Sequence, residues 1–261
     1  MATKTEQSAL EIKEIILETV TLRIVGETPL IMHAWSEKAK REILDKQMKA
    51  TKTSAKKAKN PVEDFIRSMY WLTPMPTDMT EDGFNEAIAN GARFGFPVTA
   101  FKQAAISASY RMGWSKDKAS LRGVFFIEGD ENQMIEIKSD VPVMREDMVK
   151  IAGGTADIRF RGEFRKWYAD MKITYNKNGQ YTLEQIINII NAGGYCCGVG
   201  EWRPERDGQS YSDYVRCYVV RSSDFKPEKI DSYDYCVTVF ANKEDCEKYC
   251  EWLNNKEKNN E

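Results

Sequence analysis

Along the chain, apolar and polar positions first fall into a period of two. In "ETVTLRIVGETPLIMHAW" Val20, Leu22 and Ile24 share one side of an extended segment, which predicts a strand that breaks at Gly26 and Pro29. The period then lengthens: Ile43, Leu44, Gln47 and Met48 recur at helical spacing after Ser36, and the pattern dissolves into lysines and small residues before Pro61. "VEDFIRSMYWL" reads as a short amphipathic segment closed by "TPMPTD". "FPVTAFKQAAISASYRMGW" has a proline start, a threonine able to cap, and Phe101, Ala104, Ala105 and Ala108 three or four apart, the marks of a helix lying close on a sheet.

"RGVFFIEG" and "MIEIKSDVPVM" read as strands on either side of a turn, and "ADIRFRGEFRKWYADMKITYN" as one or two more before the Asn178-Gly179 turn. "TLEQIINIINAGG" carries a full helix grammar: Thr182 as cap, Gln185 three residues on, four isoleucines and two terminal glycines. "DYVRCYVVRSSD" and "YDYCVTVF" then predict strands, and "NKEDCEKYCEWLNN" a last helix. Helices fall between groups of strands and do not alternate with them strictly. That order favours an α+β fold with an antiparallel sheet, and a ferredoxin-like, RRM-type core with helical and loop insertions is the natural candidate.

Composition changes this picture little. With 261 residues, 42% of them hydrophobic, the chain buries a core without staples, and no internal repeat or linker divides residues 1–261. No apolar run of membrane-spanning length and no secretory pattern occurs, so the expected setting is the cytoplasm, with no membrane partner. Six cysteines fall late in the chain; Cys246 and Cys250 lie one helical turn apart, but without paired C-x2-C knuckles the expectation is reduced thiols, with no metal and no cofactor.

Charge changes it more. The net charge is only -2, yet residues 36–60 carry nine basic side chains against three acids, while residues 242–261 form an acidic helix and tail. Lys52, Lys56 and Lys57 lie in this basic insertion, which offers a polyanion salt-sensitive, sequence-blind affinity or is a merely solvated arm.

Two further stretches hold candidate chemistry. In "GGYCCGVGEWRPERDG", Gly198 and Gly200 free backbone N–H groups to converge on an anion, Arg203 and Arg206 add forked donors, and Trp202 offers a stacking face. The plainer alternative is a long turn with Trp202 tucked into the core and Arg203 paired to an acid. In "TADIRFRGEFRKWYADMKITYN", alternation puts Arg159 and Arg161 on one strand face, with Arg165, Lys166, Trp167 and Tyr168 following. Cations interleaved with rings suit a single-stranded nucleic acid, charge for phosphate and rings for bases; the alternative is a solvated face with Arg159 paired to Asp157 or Glu163. No hydrolase, Walker or dinucleotide fingerprint occurs, so no enzyme is expected; His33, as a general base, and Asp45 are the only catalytic candidates.

Together "LRIVGETPLIMHA", "FPVTAFKQAAISASYRM" and "GGYCCGVGEWRPERDG" resemble, in that order, the RAMP superfamily of RRM-like CRISPR effector subunits and, within it, the Cas7-like backbone proteins. Pro97, Thr99 and Lys102 match that family's helix opening, and Gly193, Gly194, Gly198 and Gly200 its glycine loop. The resemblance implies a protein that binds single-stranded RNA, or DNA, and polymerises along it with copies of itself or other effector subunits. The competing expectations are a protein-interaction or assembly module and a metal-independent ribonuclease using His33.

Overall fold

The computed structural model describes residues 13–35, 44–45, 47–48, 58–150, 156–204 and 217–220, the last four as backbone only. The chain divides into two compact units, Met1–Asp231 and Ser232–Glu261, and every described residue belongs to the first. The last predicted helix, the acidic tail and the "YDYCVTVF" strand lie outside the described residues.

β1 (Leu17–Gly26) is the strand that alternation predicts, and β2 (Leu30–Met32) follows after a break at Glu27–Pro29. α1 (Pro61–Arg67) starts where Asn60 accepts from the Val62 and Glu63 N–H groups and Pro61 occupies the first turn, where its missing donor costs nothing. α2 (Glu81–Ala89), which the hydrophobic pattern does not announce, is capped by Thr80. β3 (Phe94–Pro97) leads directly into α3 (Val98–Arg111), and α4 (Lys118–Arg122) is one short turn capped by Asp117. β4 (Phe125–Glu128), β5 (Met134–Ile137), β6 (Val143–Lys150), β7 (Ala156–Phe164) and β8 (Tyr168–Asn176) come next. α5 (Leu183–Ala192), closed by the reciprocal Thr182–Gln185 capping box, runs into a π-helical turn at Gly193–Cys197, and β9 (Cys217–Val220) is the last described strand.

The fold is α+β with antiparallel sheets. Four strands form one sheet in the order β4-β8-β1-β9, three form a second as β2-β7-β6, and β3 pairs with β5. In the four-stranded sheet, register sets Leu22 beside Met171 and Ile24 beside Ala169, with Phe125 and Ile127 on the same face, all buried under α3 and α5. The opposite face is polar: the Thr19 and Thr174 hydroxyls meet at 2.7 Å, and Arg23 grips Asp170 bidentately at 2.6 and 2.7 Å. One packed and one polar face is the usual state of an antiparallel sheet.

"MIEIKSDVPVM", expected as one strand, breaks at Pro142 into β5 and β6, which join different sheets, and of the two readings of "ADIRFRGEFRKWYADMKITYN" the structure takes two strands, β7 and β8. The second break is a turn in which Lys166 takes φ 48°, and it drives Trp167 wholly inside, its indole N–H donating to the Thr28 carbonyl at 2.9 Å. Trp167 is therefore a core residue and not a surface ring. Thr99 does not cap α3, because Pro97 already holds the cap position and no side chain there accepts from the helix.

Candidate functional site

The end of β2, the β3–α3 junction and the segment after the π-helical turn meet around one open cleft of about 370 Å³. His33 and Trp35 enter from β2, Phe96, Pro97, Thr99 and Gln103 from the β3–α3 corner, and Gly198, Gly200, Glu201 and Arg203 from the glycine loop, with Tyr70 closing one wall.

Each wall has a local cause. Val98 donates its N–H to the Gln133 carbonyl at 3.0 Å, leaving the next amides of α3 without a cap at the rim where Thr99 and Ala100 line the cleft. The partial positive charge of a helix start thus faces the opening. The π-helical turn is wound against α3 because Gly193 lacks a side chain: a Cβ there would come within 2.6 Å of the Ala105 backbone nitrogen. Gly198 (φ 66°) and Gly200 (φ 84°) then reverse the chain through left-handed conformations open to glycine, and Trp202 (φ 59°) adopts one despite its ring. Arg203 Nη1 donates to the Gly200 carbonyl at 2.8 Å and closes the loop, and the Glu201 N–H donates to the Ile31 carbonyl at 2.9 Å and fastens it to β2.

Behind the cleft lies a buried charge cluster. Arg161, wholly buried, pairs with Asp147 at 2.8 Å and Glu201 at 3.3 Å, while Arg145 pairs with Asp147 at 2.8 Å and Glu163 at 3.0 Å. Burial pulls the Arg161 guanidinium below the ordinary arginine range, Asp147 opposing this and the neighbouring Arg159 and Arg145 adding to it. Burial by itself would raise the Asp147 carboxyl, but hydrogen bonds from Trp202, Arg145 and Arg161 win and hold it below the usual carboxylate range. The cluster therefore locks Glu201 and Trp202, and with them the glycine loop, onto the β6–β7 hairpin.

His33 sits between cleft and cluster. Arg161 Nε donates to its Nδ1 at 3.4 Å, and because a guanidinium only donates, the proton of the neutral imidazole is on Nε2. In this arrangement the Nε2–H group is a hydrogen-bond donor. Asp45 is exposed on a helical turn and is not among the residues lining the cleft.

Of the other expected contacts, Gly198, Gly200 and Arg203 line the cleft, and Trp202 stands beside it with its indole nitrogen turned inward to Asp147. Arg161 is not the groove-facing cation that strand alternation predicts, because that face of β7 is covered by the loop it anchors. Arg159 takes the plainer alternative and pairs with Asp157 at 3.4 Å, sharing it with Lys59, whose ammonium also meets the Ile158 carbonyl. Arg165, exposed, pairs with Glu163 at 2.7 Å, and neither it nor Lys166 lines the cleft. Lys102 leaves the cleft side of α3: its ammonium donates to the Phe125 carbonyl at 2.6 Å and lies 4.4 Å from the Phe126 ring, and burial lowers its pKa. Lys52, Lys56, Lys57 and Arg206 lie outside the described residues.

Sequence reasoning missed Trp35, Tyr70 and Gln103. The available signal was spacing: Thr99 and Gln103 are four apart on α3 and so share a face. Among the described residues no cluster of three or more His, Cys, Asp or Glu side chains is arranged to hold a metal, and no helix is long and apolar enough to cross a membrane. No family model matches the chain, and no curated protein matches it.

Proposed function

We propose that this chain is an RRM-type, ferredoxin-like binder of single-stranded nucleic acid, RNA before DNA, that holds the strand in the cleft between α3 and the glycine loop. The class is supported by chain order: β1-α3-β4-β8-α5-β9 is β-α-β-β-α-β, and the sheet places these strands as second, third, first, fourth. Within that class the reading is a cytoplasmic RAMP-type, Cas7-like subunit.

The observation that carries it is convergence. The ends of three segments far apart in sequence, which are the ones that carry the RAMP resemblance, meet at one opening. Its chemistry suits a nucleotide: the start of α3 and Arg203 for phosphate, Trp35 and Tyr70 for a base, His33 Nε2 and Gln103 as donors.

Fluorescence anisotropy with a labelled oligouridylate tests it on the full chain. Arg203→Ala is expected to weaken binding and lower the salt slope by about one, and Trp35→Ala to cost about 1–3 kcal/mol. Unchanged affinity in both variants refutes the site.

A second reading, an assembly module, is favoured by the outer face of the β6–β7 hairpin, where Met148 pairs with Ile158 and Met144 lies on the same face, all exposed. Side-by-side association of copies along a strand uses such a face. Sedimentation that is independent of added oligonucleotide, with no oligonucleotide bound, would leave the assembly reading alone.

A further inference from the structure

The far end of α3 carries a second cation and ring surface. Tyr110 and Trp114 are about half exposed, and residues 110–122 carry four exposed cations, Arg111, Lys116, Lys118 and Arg122, against the single acid Asp117. That acid is engaged, its carboxylate accepting the Ser120 N–H at 2.8 Å as the cap of α4. Lys118 reaches across α3 to Ser107 at 3.4 Å and lies 5.6 Å from the centre of the Tyr110 ring, so charge and ring already form one shelf.

The shelf is in line with the cleft. Gln103 lines the cleft, and Tyr110 follows seven residues later on the same helix, about 20° short of two full turns and about 10 Å along the axis. Gln103 and Tyr110 thus mark a path from the cleft down one side of α3, and Trp114 follows just past the helix end, its N–H donating to the Ser109 carbonyl at 3.0 Å.

We infer that the bound strand leaves the cleft along this side of α3 and lays further nucleotides on the Tyr110–Trp114 shelf, where the surrounding lysines and arginines meet its phosphates. The inference rests on the strand-binding reading of the cleft. Charge decides the occupant: four cations against one acid make this segment complementary to a polyanion, and two exposed rings among cations suit unpaired bases better than a protein partner.

The test uses the full chain and labelled oligouridylates of about 4 and about 12 nucleotides, the range such grooves accept, at fixed ionic strength. The wild type is expected to gain affinity with length. Tyr110→Ala/Trp114→Ala is expected to remove about fivefold or more of that gain per ring lost, and Arg111→Gln/Lys118→Gln to lower the salt slope for the longer oligomer only. Arg203→Ala should weaken both lengths and keep their ratio. If Arg203→Ala weakens both while the two shelf variants leave the ratio and slope intact, the shelf is refuted and the cleft stands. If no oligomer of either length binds the wild type, both fall together. Intact binding of the longer oligomer, with a shift from dimer to monomer in the ring variant, overturns the inference in favour of a copy of the chain.

Discussion

Arg161→Met tests whether the buried cluster, and not the glycine loop itself, sets the shape of the cleft. Three cations (Arg145, Arg161, Arg165) face three carboxylates (Asp147, Glu163, Glu201), and Arg161, wholly buried, is the member that joins Asp147 to Glu201. Breaking a buried pair by removing one partner costs about 3–5 kcal/mol, and because Asp147 keeps Arg145, the lower figure of about 3 kcal/mol is expected here. In urea, with a slope of about 3 kcal/mol/M, that moves the midpoint down by about 1 M without changing the slope. A second arm removes the stranded charge: Arg161→Met/Asp147→Leu is expected to cost at least about 1 kcal/mol less than the sum of the single changes. The pH dependence has a definite sign. Since the folded state holds the Asp147 carboxyl below its unfolded value near 3.9, its contribution is complete above that pH and is lost as the pH falls through the lower folded pKa. Arg161→Met removes one of the groups that lower it and should flatten this acid limb. Additive single changes, or a cost below about 1 kcal/mol for Arg161→Met, would refute the account.

Three other expectations follow from contacts in the fold. Gly26→Ala should be the most damaging glycine change, since its Cβ would lie 1.9 Å from the Trp167 indole nitrogen, whereas Gly162→Ala meets the flexible Met69 chain at 2.6 Å; thermal melts should rank them in that order, and the reverse ranking would count against a rigid Trp167. Gly193→Ala must push the π-helical turn away from the Ala105 backbone, so about 1–3 kcal/mol of stability and part of the oligonucleotide affinity should go together, and a loss of stability with unaltered binding would separate this turn from the site. With its Nδ1 held by Arg161, His33 is not poised as a base, so labelled RNA should stay intact from pH 6 to 8; cleavage that disappears in His33→Ala would show otherwise.

How far the sequence exposes this arrangement depends on the range of the forces involved. β1, α3 and α5 are legible because local periodicity and caps determine them: Val20, Leu22 and Ile24 alternate, and Thr182 with Gln185 forms a box whose partners are three residues apart. The strand pairings are less so, since β5 answers to β3 and β2 to β7 through contacts that no window of ten residues contains. The arginines of β7 mark the limit most clearly. Alternation correctly places Arg159 and Arg161 on one face, but it carries no information on what covers that face. The cover is Glu201 and Trp202, some forty residues on, so the same rule that aligns the two guanidiniums leaves one paired near the surface and the other wholly buried.

The glycine loop illustrates the converse. Its permissive backbone was visible in Gly198 and Gly200, and those residues do line the cleft, yet glycine makes a conformation accessible without selecting it. Selection comes from the Glu201 N–H on Ile31, from Glu201 on Arg161, and from the bond that closes Arg203 onto Gly200. A loop held at three points keeps one shape, so a ligand that meets it would lose little entropy to loop ordering on binding. Arg161 thus acts on the cleft from behind it, through Glu201: one buried charge, outside the cleft's own lining, holds in place the loop that forms its wall.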